Sequence, residues 1–164
     1  MILTTIIFII LCAVCLGFLA WFSVKGASEV KDSHYYKDDH DLRNAHMKLT
    51  VAAIIASVAE VVLIVGGLAL VFYTGGMIAT FNFPLVLTLA IFLGLLLTTG
   101  LFNAYAAYRL RETQNYSKDS HAEKAYKDAL WSVGLGFGGI IVFALYVIIL
   151  LVVRHRQGSV SYEY

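Results

Sequence analysis

Apolar residues run almost unbroken through four stretches, Ile2 to Val24, Leu49 to Tyr73, Leu85 to Tyr108 and Ala129 to Val153. Each exceeds the roughly 20 residues that a helix needs to cross the ~30 Å hydrocarbon layer of a bilayer. Polar segments separate the first run from the second and the third from the fourth, whereas the join at Thr74–Pro84 is short and apolar. The pattern predicts an all-α integral membrane protein: a four-helix bundle made of two tandem helical hairpins. The first hairpin covers 1–76, an apolar connector 77–84, the second hairpin 85–153, and a polar tail 154–164.

Composition agrees with that reading and narrows it. Hydrophobic residues make up 60% of the chain against 14% charged, with a mean hydropathy of +0.78, so lipid and not water is the expected solvent. The first run is not expected to be a cleaved secretion signal, because no Lys or Arg precedes it and it outlasts the roughly 7–15 residues of a signal core. A net charge of +1 argues against a nucleic-acid partner. Cys12 and Cys15, the only cysteines, lie in the first span. There a thiol packs as a small apolar group, and redox exchange would need a second pair that the chain lacks.

The positive charges are unevenly placed. Lys25, Lys31, Lys37, Arg43 and Lys48 follow the first span, and Arg109, Arg111, Lys118, Lys124 and Lys127 follow the third; only Arg154 and Arg156 lie elsewhere. The positive-inside tendency puts both basic loops in the cytoplasm and both termini across the membrane. The sequon at Asn115-Tyr-Ser would then stay unglycosylated. In the connector, Gly75 and Gly76 suit a helix end and Pro84 a helix start, with Phe81 and Phe83 at the membrane interface.

The two basic loops resemble each other. Tyr35-Tyr-Lys37-Asp38-Asp-His40 matches Tyr116-Ser-Lys118-Asp119-Ser-His121, and after a one-residue gap Ala45-His46 aligns with Ala125-Tyr126. This points to duplication of a hairpin, with two same-way copies related by an axis along the membrane normal, as in parallel repeats. Ser120 and Glu123 fit a capping box that starts helix four near His121, while Asp39 or Asp41 caps helix two. From His121 to Val153 a helix would extend about 50 Å at 1.5 Å per residue. The helices should therefore project beyond the bilayer on the basic side. Tyr35, Lys37, Asp38, His40, Tyr116, Lys118, Asp119 and His121 become the candidate docking residues.

Other motifs carry less. Glu60, the one charged residue inside a span, must be neutralised, paired or next to a wet cavity. It is read as a hydrogen-bonding side chain reaching Ser57, Thr98, Thr99, Asn103 or Ser132, with a proton- or cation-coupling carboxylate as the alternative. Gly134-x-x-x-Gly138 and Ala52-x-x-x-Ala56 are close-packing faces, expected to bring spans two and four together at the bundle centre. The glycines of span four follow no strand, so they are not a nucleotide loop. His34, His40, His46 and His121 with nearby carboxylates are the right ligand types for zinc, but helix capping and solvation explain them equally, and no metal, cofactor or catalytic group is expected. The tail from Arg154 would be disordered unless a partner holds it.

Asp41-Leu-Arg-Asn-Ala-His-Met-Lys-Leu-Thr-Val-Ala-Ala53, with Ala125-Tyr-Lys-Asp-Ala-Leu-Trp131 as its counterpart, resembles small multi-span membrane proteins of large icosahedral DNA viruses. The resemblance covers the junctions of the second and fourth spans and carries over no functional residue. It implies a structural, non-enzymatic role: a minor capsid component in the internal membrane of a virion, contacting lipid and neighbouring membrane or capsid proteins, with homo-oligomers allowed. A small transporter or channel subunit using Glu60 is the competing expectation.

Overall fold

The computed structural model describes residues 2–73, 83–114 and 116–160. Four helices fill them: α1 (Ile2–Asp32), α2 (His40–Tyr73), α3 (Phe83–Glu112) and α4 (Ser120–Val160). All four are long and apolar enough to cross a membrane, and they pack as one bundle. The connector proper and Asn115 lie outside the described residues.

The helices occupy the corners of a square. α1 lies beside α2 and α4, and α3 beside the same two. The expectation that spans two and four meet at the centre therefore fails, since α2 and α4 stand diagonally. Ala52 and Ala56 do point inward and are fully buried. Gly134 and Gly138 do not: a side chain at either would meet nothing within 4 Å. The close approach of α3 and α4 runs instead through Gly136, whose missing Cβ would stand 3.5 Å from the Gly100 backbone, and Gly139, which faces Leu96.

Helices of 30 to 41 residues extend roughly 45–60 Å, well beyond a ~30 Å hydrocarbon core. The surplus forms a headpiece at the end carrying the two loops. Its core is made of small or slender residues, Ala27, Val30, Leu42, Ala45, Ala106, Leu110, Ala122 and Ala125, which let the four backbones come close. The membrane half is filled by bulkier groups, Phe8, Leu16, Leu63, Phe92, Phe143 and Tyr146, with Phe8 stacked on Tyr146 at 3.9 Å between ring centres. Outside, Ile54, Val58, Val61 and Val65 run exposed along α2, as do Phe137, Ile141, Leu145 and Ile148 along α4. An apolar surface so continuous has lipid as its natural solvent. Trp21 and Trp131, about two-thirds exposed, sit where the apolar runs meet the headpiece, a level that suits indole at the headgroups.

Candidate functional site

Each hairpin loop is shaped by an aspartate. Asp39 Oδ1 accepts from the backbone N–H of Asp41 (2.8 Å) and Leu42 (3.3 Å), capping α2. Asp119 Oδ1 accepts from His121 N–H at 2.9 Å, capping α4. The cap is thus Asp119 and not Ser120, because Ser120 is already the first helical residue. Glu123, expected to reach back to the helix start, turns forward to Lys127 at 2.7 Å. That contact holds its carboxyl below the ordinary range.

The second oxygen of each capping carboxylate crosses to the other hairpin. Ser33 donates to Asp119 Oδ2, and Thr113 donates to Asp39 Oδ2. Glu29 meets His121 Nδ1 at 2.7 Å, and Asp41 meets Arg109 at 3.2 Å. Lys25 reaches the buried Asp128 at 3.2 Å, while Lys48 lies over the rings of Phe102 and Tyr105. Tyr36 packs edge-on against His46, and Tyr116 against Tyr126. The contacts that join the two hairpins recur between residues 80 positions apart, in reciprocal order, except that of Lys48 with Phe102; the ring pair Tyr36–His46 recurs as Tyr116–Tyr126 within the second hairpin. The Tyr-x-Lys-Asp-x-His alignment is offset by 81 and is therefore one residue out of step with the contacts. Its repeated Asp38 and Asp119 are not counterparts, whereas Asp39 and Asp119 are.

The candidate docking residues divide accordingly. Tyr35, Lys37, Asp38, His40 and Lys118 are exposed at the tip. Tyr116 is half-buried against Tyr126, His121 is held by Glu29, and Asp119 is 8% exposed and committed to its cap and to Ser33. An open cleft of about 360 Å³ is lined by Asp38, Asp39, His40, Asp41, Glu112 and Gln114, acidic on a headpiece that is basic by residue count. Glu112 and Gln114 escaped sequence reasoning because their closeness to the first loop is tertiary. Among the described residues no group of three or more His, Cys, Asp or Glu side chains is placed to share a metal ion. His46 is partly buried and near Lys31, and both effects hold its pKa below the ordinary 6.5.

Below the headpiece lies a buried polar layer. Ser23 Oγ is 2.9 Å from the Leu19 carbonyl, 3.0 Å from Asn103 Oδ1 and 3.3 Å from Ser132 Oγ. Asn103 also donates to the Thr99 carbonyl at 3.1 Å. Asn103, Ser132 and Thr99 were expected near Glu60, but Asn103 and Ser132 meet Ser23, and Thr99 donates to the Leu95 carbonyl. Ser57 and Thr98 bond the carbonyls four residues back on their own helices. Glu60 instead faces a lipid-side groove between α1 and α2, with Ala13, Val14, Gly17, Phe18 and Trp21. Cys12 and Cys15 are free thiols beside an interior space of about 10 Å³, the lower limit for holding one water.

No family model, curated protein or solved structure matches this chain.

Proposed function

We propose that this chain is a non-enzymatic membrane scaffold, holding a rigid polar headpiece above the bilayer to dock neighbouring proteins. The open acidic cleft bounded by Asp38, Asp41 and Glu112 carries the reading. Lys25, Glu29, Arg109, Asp119 and Asp128 hold the hairpins together, while Asp38 and Glu112 line the cleft, so it offers a pre-formed surface for a basic segment of a neighbour. Preorganisation of this kind spares the ordering cost of association, and charge complementarity favours the right partner. The resemblance to virus membrane proteins suggests capsid proteins as neighbours and a virion membrane as the site. The charge distribution suggests that the headpiece faces the cytoplasm. The recurring contacts suggest a duplicated hairpin with two same-way copies.

The reading is tested by placing photo-crosslinking residues at Lys37 and Lys118 and reversing charge with Asp38→Lys plus Glu112→Lys. Neighbours should be captured through the unreversed headpiece and at least tenfold less through the reversed one, with insertion unchanged. Equal capture by both would refute docking through the cleft.

A second reading, a transporter or channel subunit, draws on the placement of Glu60 in its groove. The aromatic packing of Phe8, Phe92, Phe143 and Tyr146 across the bundle interior weighs against a conducting path along the axis. Glu60→Gln should abolish flux if this second reading holds and leave assembly intact if the first does.

A further inference from the structure

The groove between α1 and α2 holds the only acidic side chain of the four spans. A Cβ on Gly17 would stand 3.6 Å from Glu60 Oε1, so the absent side chain leaves space directly beside the carboxylate. Phe18 and Trp21, 55% and 65% exposed, form one wall, and Ala13 and Val14 the rest. The space is about 450 Å³ and opens sideways, away from the bundle core. We infer that this groove binds a lipophilic organic cation, a quaternary ammonium or phosphonium or a protonated hydrophobic amine, arriving from the bilayer.

Three features select that ligand. Glu60 lies within the apolar run of α2, and none of the four spans contains Lys, Arg or His, so any countercharge to it comes from outside the spans. The hydroxyls and amide that could have satisfied it bond elsewhere. Aromatic faces beside a carboxylate attract a diffuse positive charge, and one charged group among apolar walls, in a volume of this order, is the usual make-up of a small-molecule site. A bare metal ion fits poorly, because one carboxylate supplies too few oxygens to replace its hydration shell. A second copy of this chain brings no cation to that depth, since its spans hold none. The inference stands apart from docking by the headpiece and claims binding, not transport.

Trp21 supplies the probe. In a Trp131→Phe background, in nanodiscs of zwitterionic lipid, titration with tetraphenylphosphonium should change Trp21 emission saturably. Neutral triphenylphosphine oxide and anionic tetraphenylborate should give no saturable change. Glu60→Gln should weaken the response at least tenfold, and Gly17→Leu should block it with Glu60 still present; circular dichroism checks that both variants are helical. A measurement without variants stands beside it: tetraphenylphosphonium should protect Glu60 from a hydrophobic carbodiimide, read by peptide mass. An equal response from tetraphenylborate, an undiminished response in Glu60→Gln, or absence of protection overturns the inference, leaving partition into lipid or contact with a second copy as the account of the groove.

Discussion

The headpiece and the membrane half of this bundle are built from the same four helices by opposite means. In the headpiece the interior is mainly alanine, with Val30, Leu42, Leu49 and Leu110, and the specificity is polar: two aspartates each cap one helix and take a hydroxyl from the other hairpin. In the membrane half the interior is aromatic and aliphatic, and specificity comes from shape, with Gly136 against Gly100 and Gly67 against Ile9. Water competes for every hydrogen bond above the membrane, so the headpiece needs small side chains to bring its partners into register and shield them. Lipid gives no hydrophobic gain for bringing helices together, so close packing and a few internal hydrogen bonds must do it.

The contrast can be broken first at the headpiece. Asp39→Ala removes a cap worth about 1 kcal/mol and a hydrogen bond to a charged group worth about 2 kcal/mol. A loss near 3 kcal/mol is expected in reversible unfolding in micelles, and Asp119→Ala should match it. Values below about 1 kcal/mol for both would refute the shared role of the two carboxylates. In the membrane half, Gly136→Leu should cost about 2 kcal/mol by overpacking, while Gly134→Leu, projecting into open space, should cost little. Equal losses at the two glycines would mean that α3 and α4 do not meet as described.

The intermediate polar layer should behave like a membrane interior and not like the headpiece. Asn103→Ala should cost about 0.6 kcal/mol, the typical worth of such bonds in lipid. The smallest effect is one of pH. His46 titrates below its ordinary value when folded, so the unfolded chain binds the extra proton first. Its contribution to stability is complete above about pH 6.5 and declines as pH falls through the folded value. His46→Tyr, which copies Tyr126, should flatten that part of the stability–pH profile; an unchanged slope would remove His46 as its source.

Much of this contrast was legible in the residues, and the reasons for the misses are specific. Four uninterrupted apolar runs declare four spanning helices because nothing else satisfies the backbone in lipid. Excess helix length exposes the headpiece in the same way. The two loops share one end of the bundle, where Ser33 and Thr113 each reach across to the opposite loop. Which small residues face inward was not legible. Gly134 and Gly138 have the spacing of a packing face, yet Gly136 and Gly139 make the contact, because three- and four-residue steps recur on every side of a glycine-rich helix. Glu60 was expected among hydroxyls that lie at similar depths in sequence but turn to other faces. The acidic cleft joins residues from two distant segments and had no local sign.

One detail of the headpiece reaches further. Glu29 opposite His121 and Arg109 opposite Asp41 occupy matching seats with the charges exchanged. If the first hairpin associated with a twin of itself, Glu29 would confront an aspartate; if the second did so, Arg109 would confront a histidine. Two carboxylates facing each other disfavour the first assembly, and the second leaves Arg109 without its carboxylate partner. Each half therefore favours its complement, and two separately made halves mixed in one membrane should be enriched in heterodimers.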